Sequence, residues 1–211
     1  FIISNKKIEM EKLFNTLKYI KKINDKEPIT FFEITTAAAF YLFAKKKADF
    51  TLLETGLGGR LDATNVVEKT IIDIITPISI DHQEFLGKSL KKITNEKLGI
   101  IKSSSSIIIG KQKKIINNHI KKRIKKIKNK KLFFGQQFNI IDKEKKTLSI
   151  NFKNKIQYFN KPSLRGVHQI ENAVTAISAI LELNALGYKI TKKSINSGLK
   201  KTNWPGRLEK G

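Results

Sequence analysis

Two places in this 211-residue chain put reactive side chains at the ends of apolar runs. Glu54 follows Phe50-Thr-Leu-Leu53 and stands just before the glycine turn Gly56-Leu-Gly-Gly59. Asp81-His82 closes Ile78-Ser-Ile80, which follows a second run, Ile71-Ile-Asp-Ile-Ile75. If both runs are strands of an open α/β sheet, their carboxyl ends face the crevice where such sheets bind ligands. A carboxylate and an imidazole converging there suit a divalent cation. Mg²⁺ prefers oxygen donors, and a histidine ligand widens the tolerance to Mn²⁺. The residues alone leave an alternative open, a glutamate that caps a helix and a histidine held by a hydrogen bond.

Two nucleotide-binding signatures fail on spacing. Gly87-Lys88-Ser89 imitates the end of a phosphate loop, but the position that needs the first glycine is His82. Gly56-Leu-Gly58-Gly59-Arg-Leu61 has leucine where a dinucleotide fingerprint needs its third glycine.

The elements that would position these groups alternate between helix and strand. Residues 10–23 have Leu13, Leu17 and Ile20 on one helical face. Residues 31–47 form an Ala-centred helix whose start, Thr30 and Glu33, has the spacing of a capping box. The runs 50–53 and 71–75 are nearly continuous in hydrophobicity, as strands buried on both faces are. A helix over 89–102, a serine loop and a third strand over 107–109 complete a β-α-β alternation, which predicts an α/β fold with a mostly parallel sheet flanked by helices. Between 132 and 160 the pattern shifts to short alternating segments, a small antiparallel β subdomain. Residues 166–186 form a long helix carrying Ile170, Val174, Ile177 and Leu181, closed by Gly187. Residues 203–209 are a turn leading into a further strand.

The formal charge of +24 invites a nucleic-acid or acidic-surface reading. Its make-up argues otherwise. There are 38 Lys against four Arg, with 33 Ile and 16 Asn, a bias spread over the whole chain rather than a patch. The densest run, 121–131, places Ile120, Ile124 and Ile127 on one helical stripe with solvated lysines around it and no aromatic residue to stack a base. A basic nucleic-acid-binding module is kept as the second reading, and neither a nucleic acid nor a membrane is the expected partner. The rare arginines are more informative: Arg60, Arg165 and Arg207 sit beside glycine, where a planar guanidinium can serve a specific anion. With no cysteine, a disulfide scaffold and a thiolate metal site are excluded. No run approaches the roughly 18 apolar residues of a membrane span.

Five segments in order resemble one family. They are Leu53-Glu-Thr-Gly-Leu-Gly-Gly-Arg-Leu-Asp-Ala-Thr-Asn-Val66, Ile80-Asp-His-Gln-Glu-Phe-Leu-Gly87, Glu96-Lys-Leu-Gly-Ile-Ile-Lys102, Leu164-Arg-Gly-Val-His-Gln-Ile-Glu-Asn172 and Trp204-Pro-Gly-Arg207. Together they resemble the folylpolyglutamate synthase/dihydrofolate synthase family of the Mur-ligase superfamily. The resemblance implies an ATP-dependent ligase, cytoplasmic and monomeric, that joins L-glutamate to dihydropteroate or to a folate. It implies a partial Mur-ligase-like ATPase domain over 1–201 and, over 202–211, a linker and the start of a further domain, with a phosphate loop upstream. A member that keeps the fold without catalysis is a third possibility.

Roles follow motif by motif. Glu54, His82 and a carbamylated Lys97 would be the catalytic metal ligands for Mg²⁺; an ammonium repels a cation, whereas a carbamate offers an anionic oxygen. Asn172 and Arg207 would bind ATP, Asn172 at the adenine and Arg207 at the phosphates. Thr30, Phe32, Leu61, Asp62 and Ala63 would bind the pterin, Asp62 by accepting two N–H bonds from the pterin edge and Phe32 by lining the ring.

Overall fold

In the computed structural model, which describes residues 1–3, 6–142 and 147–204, the side chains of Thr30, Ser89 and Thr191 each cap the start of an α-helix. The chain divides into two compact units, Phe1–Val67 and Glu68–Gly211.

The first unit opens with a short antiparallel pair, β1 (Ile2–Ile3) and β2 (Lys6–Lys7). α1 (Met10–Ile23) follows over the expected residues, and α2 (Phe31–Ala44) packs against it. Thr30 and Glu33 do form a capping box: the Thr30 hydroxyl accepts from the Glu33 amide at 3.2 Å, and the Glu33 carboxylate accepts from the Thr30 amide at 2.8 Å. Two of the four donors that a helix start leaves unpaired are thereby satisfied. α2 stops at Ala44, three residues short of the expected end, where the Lys46 amide turns back to the Phe43 carbonyl. A 3₁₀ turn over Ala63–Val66 ends the unit.

The expected strand over 50–53 is not formed. These residues belong to none of the three sheets, and Leu52 is 95% exposed. A strand exists only against a hydrogen-bonding neighbour, and among the described residues no ladder reaches this run.

The second unit holds the parallel sheet. β3 (Ile72–Ile75), β4 (Ser106–Ile109) and β5 (Lys131–Phe133) lie side by side in that order, both pairs parallel, with Ile74 opposite Ile108 and Ile108 opposite Leu132. α3 (Gln83–Leu86) and α4 (Leu90–Leu98) connect β3 to β4, and α5 (Lys114–Arg123) connects β4 to β5. α4 starts on the Ser89 side chain and ends at Gly99, shorter than the 89–102 expectation.

Two boundaries differ from the sequence reading. Leu132 and Phe133, expected in the antiparallel set, complete the parallel sheet, both buried. The lysine run is helical only to Arg123; Ile124 caps that helix and is buried, while Ile127 lies in the turn beyond it. Apolar burial thus holds the run down, but through a helix end and a turn rather than one stripe.

The antiparallel subdomain is as expected in kind: β6 (Phe138–Asp142), β7 (Thr147–Phe152) and β8 (Lys155–Asn160), ordered 6-7-8. Lys153 and Asn154 join β7 to β8 with φ of 49° and 65°, the two-residue turn whose twist suits a hairpin. α6 (Val167–Ala185) lies against both sheets. Its end is a Schellman motif, the Tyr188 amide donating to the Leu183 carbonyl and the Gly187 amide to that of Asn184, with Gly187 at φ 101°. α7 (Lys192–Lys201) packs on β8. One core of Ile108, Leu132, Phe138, Ile150, Val174 and Ile177 joins the two sheets through α6. Among the described residues no helix is long and apolar enough to cross a membrane.

Candidate active site

The first unit gathers the residues matched to pterin binding at one glycine turn. Thr30 and Phe32 stand at the start of α2, which packs against the 3₁₀ turn begun by Asp62 and Ala63. Asp62 is the organiser. One of its oxygens accepts from the Leu57 amide at 2.8 Å, and the other accepts from the Thr64 amide at 2.9 Å and the Thr64 hydroxyl at 2.6 Å. The carboxylate therefore caps the 3₁₀ turn and closes the Gly56–Gly59 loop at once. A carboxylate offers about four acceptor sites, so acceptor capacity remains beside these three bonds. Leu61 is 79% exposed beside this lock, and the Phe32 ring, half exposed, lies against Gly56. Glu54, two residues before Gly56, is exposed.

His82 and Lys97 belong to the second unit. His82 precedes α3 in the left-handed conformation, φ 48° and ψ 45°, which a non-glycine residue adopts at a cost. Asp81 holds it there: the Asp81 carboxylate accepts the His82 amide at 2.9 Å and lies 3.6 Å from its Nε2. Lys97 is in the last turn of α4, half-buried.

The segment that leads to His82 is pinned to the loop after β4. Gln112 accepts the Ile78 amide at 3.0 Å and donates to the Thr76 carbonyl at 2.9 Å. Next to it, Lys111 pairs with Glu171 at 2.6 Å, drawing the first turns of α6 to the carboxyl end of β4. Gly110 lets this approach happen, since a Cβ there would lie 3.2 Å from the Thr175 hydroxyl and 3.3 Å from the Ile75 carbonyl. Asn172, exposed on the same part of α6, is thus carried on the helix drawn to the strand ends where open α/β sheets bind ligands. Sequence reasoning passed over Lys111 and Gln112, although both follow a strand that ends in glycine. Arg207 lies outside the described residues.

Glu54 and the pterin residues stand in one unit, and His82, Lys97 and Asn172 in the other. Among the described residues no three acidic or histidine side chains cluster as a metal site; Lys97 as a carbamate would be a ligand outside that set.

Residues 3–180 match the Mur ligase middle domain. The chain is 33% identical, over 97% of its length, to a probable dihydrofolate synthetase of Schizosaccharomyces pombe, and 36% identical, over 85%, to a dihydrofolate synthase/folylpolyglutamate synthase of Bacillus subtilis. It covers 49% and 43% of those proteins, so it spans about half the length of the curated relatives it matches. Among solved structures, E. coli FolC in complex with DHPP and ADP superposes with a TM-score of 0.83 at 26% identity, over 97% of this chain and 47% of that one. A match over residues 3–180 of 211, with this fold, settles the kinship: the chain belongs to the Mur ligase middle domain family.

Proposed function

We propose that the whole protein is an ATP-dependent ligase that adds L-glutamate to dihydropteroate, or to a folate already carrying glutamate. What carries the reading is similarity along nearly the entire chain to dihydrofolate synthases, together with the gathering of Thr30, Phe32, Asp62 and Ala63 at one turn. A relative with the same fold holds DHPP and ADP, which fits a pterin carboxylate and a nucleotide as the two partners here.

In this reading a substrate carboxylate oxygen attacks the γ-phosphorus of ATP. The P–O bond to ADP breaks and an acyl phosphate forms. The glutamate amine then attacks the acyl carbon, inorganic phosphate leaves with the C–O bond, and the amine gives up a proton as the amide forms. Little covalent chemistry falls to the protein, so positioning and charge stabilisation carry the catalysis. Phe32 and Asp62 would orient the pterin, while Asn172 and Arg207 would hold the nucleotide, Arg207 from a linker over 202–211.

The donor set of Glu54, His82 and carbamylated Lys97 fits Mg²⁺, with Mn²⁺ tolerated. Glu54 and His82 are exposed, and Lys97 is half-buried in the last turn of α4. When bound there, the metal would neutralise charge on the transferring phosphoryl group. The proposed setting is the cytoplasm, and the proposed state a monomer.

The test is ADP release by the complete protein. The expected result is release that requires both dihydropteroate (or a folate) and glutamate, and that falls at least a hundredfold in Glu54→Ala and in Lys97→Ala, the scale of losing a group that stabilises developing charge. No glutamate-dependent release by the wild-type protein would overturn the ligase reading.

A further inference from the structure

Gly56 is a glycine of the turn whose missing side chain is filled by a neighbour's ring. A Cβ built on it would lie 2.5 Å from Phe32 Cζ, 2.9 Å from Cε2 and 3.0 Å from Cε1. The tip of the Phe32 ring therefore points at the Gly56 Cα, closer than any side chain at position 56 permits. Backbone conformation does not demand glycine here. Gly58 and Gly59 have φ of 70° and 159°, whereas Gly56 is not among the residues with positive φ. What position 56 needs is space.

We infer that Gly56 is a specificity-determining residue: by admitting the tip of the Phe32 ring, it sets how far that ring stands from the Asp62 carboxylate, and so the width of the slot that takes a flat bicyclic pterin. The inference rests on the reading of the site as a pterin site. The linkage is short. Phe32 rests on Gly56, the next residue, Leu57, donates its amide to Asp62, and Asp62 starts the turn that contains Ala63. A ring displaced by a β-methyl narrows or tilts the slot without touching Asp62, the glycine backbone or Glu54. Phe32 can yield because it is a side chain half exposed to solvent, so the penalty falls on the ligand rather than on folding.

The experiment compares the complete protein with its Gly56→Ala, Phe32→Ala, Phe32→Leu and doubly substituted forms, measuring kcat and KM separately for dihydropteroate and for ATP. Gly56→Ala should raise the KM for dihydropteroate about tenfold, some 1.4 kcal/mol of binding, with the KM for ATP and kcat within about twofold of wild type. Adding Gly56→Ala to Phe32→Ala should cost nothing more, because the ring through which it acts is gone. Phe32→Leu, which lacks the ring tip, should recover part of the loss in the Gly56→Ala background. Multiplying effects in the Gly56→Ala/Phe32→Ala pair, or a fall in kcat at unchanged KM, would overturn the inference. Should Gly56→Ala alone fail to fold, folding of the Gly56→Ala/Phe32→Leu form with a dihydropteroate KM near that of Phe32→Leu supports the contact, and failure of that form too overturns it. A wild-type protein with no glutamate-dependent turnover would instead remove the ligase reading beneath it.

Discussion

Lys130 reaches from the protein surface to donate a hydrogen bond, at 2.8 Å, to the carboxylate of Glu182, which has no exposed surface at all. Lys153 donates to the other carboxylate oxygen, and the Ser106 hydroxyl adds a third bond at 3.1 Å. The three donors come from the segment entering β5, from the β7–β8 turn and from the start of β4, so one helical carboxylate ties the parallel and antiparallel sheets together. Lys153 sits in that turn at φ 49°, a conformation that costs a side-chain-bearing residue about 1–2 kcal/mol. The ion pair offsets this strain. Burial alone would raise the Glu182 carboxyl, but the hydrogen bonds from Lys130 and Lys153, the Lys153 charge and the Ser106 hydroxyl outweigh it and hold the group below its ordinary value.

Glu182→Gln should therefore destabilise the protein by about 2 kcal/mol in chemical denaturation. That is less than the loss from breaking a wholly buried pair, because both lysines retain exposed surface and can turn toward water. The pH dependence has a definite sign. A carboxyl lowered in the folded state contributes stability that is complete above its unfolded value, 4.5, and is lost as pH falls from there through the folded value. The stability gap between wild type and Glu182→Gln should stay level from neutral pH to about 5 and close below it. A gap that widens on acidification would contradict the assignment.

Asp73 locks the amino-terminal end of the same parallel sheet on the side of β3. Nearly buried, it accepts from the Thr70 hydroxyl at 2.7 Å, the Lys102 amide at 2.8 Å and the Ser105 hydroxyl at 2.5 Å. Asp73→Ala should cost about 3 kcal/mol, because it removes the acceptor of the half-buried Lys102 amide and of the buried Ser105 hydroxyl. Asp73→Asn should cost about 1 kcal/mol, since its remaining oxygen still serves Lys102 and Ser105 and the Thr70 hydroxyl can turn to accept. Equal losses in the two variants, read from denaturation midpoints, would show that packing rather than acceptor count governs the position.

The features legible in the sequence were those written locally. Thr30 and Glu33 are three residues apart and form their box; Gly187 follows the last apolar position of α6 and closes it. α7 was legible too and went unread, with Thr191 as cap and Ile195 and Leu199 on its buried side. What stayed hidden depends on distant partners. Apolarity could not say that 50–53 would lack a ladder, nor that Leu132 and Phe133 would pair with β4 after a run of lysines. Glu54, His82 and Lys97 stood out by chemistry and motif. The role of Gly56 required the ring of Phe32, 24 positions earlier in the chain, and no local signal joins them.

His119 offers a probe of the lysine-rich face. Its Nε2 lies 3.0 Å from the Asn95 side chain, and burial, then the charges of Lys91, Arg123 and Lys122, hold the imidazole below its ordinary 6.5. Raising the salt from about 0.05 to 0.5 M should move its NMR titration midpoint up toward 6.5 without reaching it, because screening removes the charge repulsion and leaves the burial. The unfolded chain takes up this proton first as pH falls below 6.5, so His119 makes acidification through that range destabilising. A midpoint indifferent to salt would mean that the surrounding lysines are too well solvated to act on it.

The last prediction separates the two roles open to Asp62. As the lock of the glycine loop it needs both oxygens, one for Leu57 and the other for Thr64. Asparagine keeps one oxygen and turns an NH₂ group toward a donor. The Thr64 side offers two donors and will claim the oxygen, leaving the Leu57 amide without its acceptor. Asp62→Asn should then speed hydrogen exchange at Leu57 by tenfold or more, the scale of one charge-assisted bond, while Thr64 changes little. This follows with no ligand present and holds whatever the protein binds. If Asp62 also meets a pterin N–H through its remaining acceptor capacity, the KM for dihydropteroate should rise further than in Leu57→Pro, which deletes the loop bond by removing the donor and keeps the carboxylate. Equal KM values in the two variants, with exchange accelerated as expected in Asp62→Asn, would make Asp62 a positioning residue only.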